Sequence, residues 1–493
     1  MKNSSIRIFA LVSLFAASLG IMGCSKFLSE EPQSQYSMGT FYKTPSDFEI
    51  AIAGVYAGQQ DLYNNLGGVF RMAITRSDDT KVGAGYVDQN DKFLDDATGS
   101  YIQNLWQELY IVVSRANAII TRIDGVEFED ETMKKAIKGE ALALRSWAYY
   151  QLGVSFGGVP LFDKEYSTAE VKTIKRSTQA ETFAFAAEGY VAAIGLLPTE
   201  WTGKNVGRIT KYAAEAGLAR LYMFQSKFSE AKTLLGDIIT SGKYDMAEKY
   251  EDCFDDAFNN TKERVWEIQF TGGGLGEGNI LPNSFMPDGY HGTLTPFTGA
   301  SAFLEVSQDL VAAYEPGDLR KDQSIVADVV VGSAPRTGWY ISKWLHYTAV
   351  PVNNNDFAIN LPVVRYTDVL LMYAECLNEA GYSATGDAFK YINKVRGRAG
   401  LSPLTAATTP DQAAFRKAMM QERRVEFAFE GLRWLDLVRW GKAVEVMDAF
   451  LKQPENENGL YKMGTTDRYL YAIPSQEIAN YNDKSIMWQN DGF

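Results

Sequence analysis

Two histidines, His291 and His346, are all the imidazole chemistry that the 493 residues offer. Neither sits in an HExxH helix or beside a cysteine, so a zinc site or a histidine-based triad lacks visible partners. The chain carries no GxSxG elbow and no Walker loop. Gly272-Gly273-Gly274-Leu275-Gly276 misses the spacing of a dinucleotide-binding turn and opens no helix. Carboxylates are plentiful, and Asp78 with Asp79 comes nearest to an acid pair. A glycosidase needs its two acids roughly 5–10 Å apart, and adjacent loop residues usually diverge. No acid spacing matches an EF-hand. The residues predict no catalytic group, no resident metal and no cofactor.

Binding chemistry is better supplied. A sugar ring has an apolar face of C–H groups and an equator of hydroxyls. Its receptor needs flat aromatic surfaces with amide or carboxylate groups beside them. Tyr86 with Asp88 and Asn90 offers this in one loop, and Tyr290, His291, Trp339 and Tyr340 offer it in a second region. Each ring competes with a core role, because aromatics make up 13% of the chain.

The stretch Gln421 to Ala443, QERRVEFAFEGLRWLDLVRWGKA, poses a different question. Its apolar residues are too many for a solvated helix, yet Arg423 and Glu426, Glu430 and Arg433, and Asp436 and Arg439 stand three apart. On a helix that spacing makes each pair neighbours on one face. Charges so mixed with aromatics are expected as ion pairs inside a packed interface, a structural ladder locking helix to helix.

The elements that position these residues read mainly as helices. Thr44-Pro45-Ser46-Asp47 is a helix start, with a hydroxyl cap, proline at the first position and an acid in the first turn. From Arg71 to Ser100 periodicity is lost, which predicts a long loop, and such loops tend to be functional. Apolar positions 102, 106, 109, 113, 116, 120 and 123 then alternate steps of four and three, one clean buried stripe that takes Trp106 and Tyr110 into the core. The helix GEALALRSWAYYQLG stops at Phe156-Gly157-Gly158-Val159-Pro160. Within Tyr212 to Tyr244, Leu218, Ala219, Tyr222 and Ala231 fall at tetratricopeptide offsets. Val363–Gly381 with Asp387–Ala399, through Ala388, Ile392, Val395 and Ala399, predicts a second helix pair. Strand signals at Glu263–Phe270 and Trp339–Ile341, among glycine-rich loops, mark an insertion over about 255–362. The fold class is therefore mainly α, tetratricopeptide-type helix pairs with inserted loops and a few short strands.

Composition narrows the partners. Hydrophobic residues at 46% and charged ones at 22% are globular values. A formal net charge of −13 repels nucleic acid and anionic lipid. Three cysteines build no disulfide framework, and Cys376, in an apolar helix, reads as core. At the N-terminus, Lys2 and Arg7 precede an apolar run from Ile8 to Leu19, too short for a spanning helix. Ile21-Met22-Gly23-Cys24 follows and looks like a bacterial lipobox, whose thiol becomes acylated. Residues 1–23 thus read as a lipoprotein signal peptide, 24–40 as a lipidated polar tether and 41–493 as one domain. Ser29-Glu30-Glu31 resembles the acidic export signal of surface-displayed lipoproteins.

ERRVEFAFEGLRWLDLVRWGKA closely resembles the C-terminal signature of the SusD/RagB family, surface lipoproteins of Bacteroidetes-type bacteria. Ala116-Asn117, the EA…LR…FGGVP pattern (with Phe156 where tyrosine is expected) and Tyr471 to Ile478 resemble further motifs of that family, in order. The resemblance implies a tetratricopeptide scaffold at the cell outer membrane, lid to a SusC-like TonB-dependent transporter, passing an oligosaccharide inward without chemistry. It places ligand sites as aromatic arcs on loops, and transfers no single residue. The same fold with peptide cargo is one alternative, and a secreted glycan-degrading enzyme is another.

Overall fold

The capping signals and apolar stripes become a stack of antiparallel helices. The computed structural model describes residues 41–64, 68–83, 89–286, 303–331 and 334–493. Helix α1 (Pro45–Asn64) starts where Asp47 accepts from the Lys43 and Thr44 amides, 2.8 Å each. It lies across α3 (Ser100–Arg122) and α4 (Glu131–Phe156). From there each helix packs on the next: α5 (Gln179–Ile194), α6 (Lys211–Phe224), α7 (Phe228–Thr240), α8 (Tyr366–Ala380) and α9 (Asp387–Arg398). Helix pairs stack in this way because neither member buries its face alone. The predicted stripes are the buried ones: Ile102, Leu109, Val113 and Ala116 in α3, Leu218, Ala219 and Ala231 in α6 and α7, and Ile392 and Val395 in α9. Trp106 is buried, whereas Tyr110 stays half-buried. Cys376 is core, and burial pushes its thiol up to about 12.

Between α7 and α8 the stack is interrupted in sequence but not in space. Strand β2 (Arg264–Ile268) pairs antiparallel with β6 (Leu361–Arg365), which runs directly into α8, so the two ends of the insertion meet. Residues 363–365, expected in a helix, are strand instead. Inside the insertion, β4 (Ile325–Val331) and β5 (Ala334–Ile341) form a hairpin, and β3 (Leu304–Val306) pairs with β1 (Thr80–Val82). That last pairing corrects the expected loop over Arg71 to Ser100. The segment contains β1 and part of a helix, α2 (Val69–Thr75), and β1 finds its partner more than two hundred residues later. After α9 come α10 (Gln412–Glu426), α11 (Arg433–Arg439) and α12 (Ala443–Leu451). Among the described residues, no helix is long and apolar enough to cross a membrane.

Candidate functional site

The expected ligand residues come from three separate stretches, and the fold gathers the bases of those stretches at one rim. Val82 pairs with Leu304, and the Gly83 amide donates to the Phe303 carbonyl at 2.9 Å. Residues 84–88, with Tyr86 and Asp88, and residues 287–302, with Tyr290 and His291, lie outside the described residues. Their flanks are closed together: Phe285 and Phe303 stack at 6.0 Å, and β3 lies against β5, which carries Trp339 and Tyr340.

Two of the expected contacts are corrected here. Neighbours on a strand point to opposite faces, so Trp339 and Tyr340 cannot share one. Trp339 stays half-buried with the Lys321 ammonium 5.1 Å above its ring. Tyr340 is 4% exposed and packs with Met286, Val329 and Leu345. Asn90 is also buried at 4% exposure, its amide donating to the Met72 carbonyl at 3.3 Å and to the Thr75 hydroxyl. It pins the loop to α2 instead of facing a ligand.

The ion-rich stretch folds differently from the single helix its spacing suggests. Helix α10 ends at Glu426. Phe429 (φ +64°) and Gly431 (φ +74°) then turn the chain before α11. Of the three expected pairs only Asp436–Arg439 forms, at 2.8 Å. Arg423 instead binds Asp368 at 2.6 Å and Asp436 at 2.8 Å. Glu426 accepts from Arg365 (3.0 Å), Arg398 (2.5 Å) and Arg320 (3.1 Å). Glu430 takes the two-pronged guanidinium of Arg365 at 2.9 and 2.8 Å and the ammonium of Lys343 at 2.6 Å. Arg433 grips Asp78 through two bonds, 2.7 and 2.8 Å.

These groups are nearly all out of water, and their electrostatics follow from that. Burial alone would raise the Glu426 carboxyl, but Arg398, Arg365 and Arg320 overcome it and hold it down at about 2. Asp368 is likewise held at about 2 by Arg423 and Arg220, against its burial. Burial pushes Lys343 down to about 8, even though Glu430 opposes the shift. Its three N–H donors are all used, on Glu430 and on the Glu426 and Ala428 carbonyls at 3.2 and 2.8 Å. Phe254 covers both Lys343 (4.4 Å) and Arg365 (5.3 Å). Such a cluster holds charge and offers no free acid or base.

Asp78 and Asp79 belong to the same construction. Arg424 reaches Asp78 at 2.9 Å and Asp79 at 2.8 Å, so the pair is bound by arginine from α10 and α11. Sequence reasoning missed Arg320, Lys343, Arg365, Arg398 and Arg424 as partners. Only Arg365 left a signal, a cation that shares the otherwise apolar run LPVVRYTDVLLMY with Asp368. The paired motif residues also acquire a role. Arg145 donates to Asn117 at 2.7 Å, and Asn117 donates to the Phe162 carbonyl at 2.8 Å, tying α3, α4 and the loop after α4 together.

This architecture defines a class: a tetratricopeptide-like stack whose inserted strands gather loops at one rim. The SusD family model matches residues 323–493, and a second, described as starch-binding associating with outer membrane, matches 26–223. The chain belongs to the SusD family. Among curated relatives it is similar to two SusD-like proteins of Formosa agariphila, 26% and 27% identical over 91% and 96% of each chain. Among solved structures it is similar to surface glycan-binding protein A of Bacteroides fluxus, at 26% identity and TM-score 0.80, over 92% of this chain and 100% of that one. The protein of the same name from Bacteroides thetaiotaomicron, in complex with laminarihexaose, shares the fold at 23% identity and TM-score 0.77, over 91% and 100%.

Proposed function

We propose that this chain is a cell-surface glycan-binding lipoprotein that delivers an oligosaccharide to a SusC-like TonB-dependent transporter of the outer membrane, without catalysis. The observation that carries the reading is the match to the SusD family over 323–493 together with the match, over 26–223, to a family described as starch-binding associating with outer membrane. The 26% identity to a surface glycan-binding protein supports the ligand class. The meeting of the loop bases at Gly83, Phe303 and β5 supports the rim as the site, with Tyr86, Asp88, Tyr290, His291 and Trp339 as contacts. A few stacked rings with hydrogen bonds give micromolar to millimolar affinity, about −4 to −8 kcal/mol. Weak capture of this kind suits a protein that hands its cargo on.

Purified chain incubated with oligosaccharide panels tests the reading. Retention of intact glycan is expected. Product formation favours a glycoside hydrolase, and retention of peptides alone favours peptide cargo on the same fold.

The anchor follows from Met22-Gly23-Cys24 and the tether 24–40, which precede the described residues. Each buried CH2 of an acyl chain contributes about 0.8 kcal/mol, so several chains hold the protein at the membrane. Cys24→Ala is expected to block acylation and processing at the lipobox. Wild-type protein found soluble, with Cys24 unmodified by mass spectrometry, overturns the anchored reading.

A further inference from the structure

The rim is not the only place where aromatic faces remain partly in water. A cleft of about 650 Å³ lies between α3, the segment 160–171 and the C-terminal helix Ser475–Tyr481. Its volume falls within the range of small-molecule sites, roughly 300–1,000 Å³. Tyr110, Phe162, Tyr166 and Tyr481 line it, all half-buried. Three of them form a run: Tyr110 to Phe162 at 5.5 Å and Phe162 to Tyr166 at 5.8 Å. Exposed Gln107 and Ser114 on α3 stand beside these rings. None of the lining residues belongs to β1, β3, β4 or β5.

The walls are fixed in advance. Arg145 donates to the Asp163 carbonyl at 2.8 Å, and Asn117 donates to that of Phe162. The Phe162 amide donates to the Tyr149 hydroxyl at 2.6 Å, and the Tyr110 hydroxyl donates to the Pro160 carbonyl at 2.8 Å. Arg122 binds Glu165 through two bonds, 2.6 and 3.0 Å. A site whose rings are already held loses little entropy on binding.

We infer that this cleft is a second oligosaccharide site, independent of the rim. The ligand class rests on the proposed function; the location does not. The rings stand at 61° and 56° to their neighbours in the run, so they offer faces of differing tilt to the C–H faces of sugar units, and Gln107 and Ser114 suit hydroxyls, which both donate and accept. The charges at the edge are of both signs, Lys164 with Glu165 and Glu477, so the cleft favours a neutral chain over a strongly ionic one. A purely apolar lipid tail lying over Gln107 and Ser114 would leave their hydrogen-bonding groups unpaired.

Isothermal titration of the full chain with laminarihexaose, cellohexaose and maltohexaose tests the inference. Four proteins are compared: wild type, the rim variant (Tyr86, Tyr290 and Trp339 to alanine) and two cleft variants. Tyr166→Ala with Tyr481→Ala removes two rings and is expected to weaken the cleft site roughly 30-fold. Ser114→Trp, at an exposed helix position, fills the cleft without touching the core. The inference expects at least one hexasaccharide to bind the rim variant with one equivalent per chain. That equivalent disappears when Ser114→Trp is added, with the helical circular-dichroism signal unchanged. If the rim variant retains no glycan while both cleft variants bind as wild type, the cleft is not a sugar site and the proposed function stands. Wild type that retains none of the panel, nor any wider glycan set, overturns the ligand class itself. Cleft variants that bind glycan normally but no longer co-purify with an outer-membrane partner make the cleft a protein interface and overturn the inference.

Discussion

The junction around Glu426 and the rim around Trp339 use charge and aromatic surface in opposite ways. At the junction, carboxylates and guanidinium groups are taken out of water and aromatic rings such as Phe254 cover them. Each charge there is answered by partners from several elements, so removing one group strands the others. At the rim, Trp339 stays half in water with a lysine above it and its other side against the core. The family-like signature therefore marks the part that holds the scaffold, while binding is assigned to stretches that carry no shared motif. A change at the junction should read out as stability, and one at the rim as affinity.

The largest expected effect comes from breaking the junction. Arg365→Met leaves Glu430 without its two-pronged partner and Glu426 and Glu263 each short of one. Stranding buried charge costs roughly 3–5 kcal/mol. Thermal or denaturant unfolding should show a clear loss, with glycan binding by the remaining folded protein unchanged. Lost binding at unchanged stability would make the junction a site.

The converse is expected at the rim. Tyr86, Tyr290 and Trp339 replaced together by alanine remove about 1 kcal/mol per stacked ring, on the order of 100-fold in rim affinity. The melting temperature should hardly move. If it falls steeply, these rings are core and the distinction between the two regions fails.

A smaller effect sharpens the junction's side of the comparison through pH. Glu426 and Asp368 are held at about 2, below their ordinary values of 4.5 and 3.8. The stability they contribute is present above about pH 4.5 and is lost as pH falls towards 2, because the unfolded chain takes up protons there first. Glu426→Gln should begin less stable at neutral pH yet lose stability less steeply across that window, by about one proton in the slope. Equal slopes for the two proteins would show that Glu426 is not held ionised.

The smallest effect is the control. Lys394 and Asp245 form an ion pair at 2.8 Å, with side chains 44% and 66% exposed. Lys394→Ala should change stability by no more than about 0.5 kcal/mol. A loss comparable to that of Arg365→Met would mean that burial is not what separates the two kinds of pair.

Local pattern made part of this protein legible from its sequence. The stripe through Ile102, Leu109, Val113 and Ala116 and the small and large residues of α6 and α7 announce their helices, because helix periodicity lies within a few residues of chain. Strand β2 was legible for the same reason, whereas β6, read as the start of the helix that follows it, was not. Even the burial of Arg423, Glu426 and Asp436 could be read from the aromatics around them.

What the sequence could not determine is who meets whom. Glu426 finds Arg320, Arg365 and Arg398 rather than Arg423, its neighbour on α10, because Arg423 is held by Asp368 and Asp436; Phe429 and Gly431 turn the chain and deny Glu430 and Arg433 the common helix that three-residue spacing presumes. Strand β1 is three residues long and takes its ladder from β3, so nothing near Thr80 announces it. Tyr340, read on a strand, and Asn90, read on a loop, both looked able to face a ligand, and only packing against Met286, Val329 and Leu345 and docking onto α2 took them inside. Helices were set by contacts within a few residues. The ion partners, the rim and the cleft were set by contacts across tens to hundreds of residues, whose geometry exists only after the chain has closed on itself.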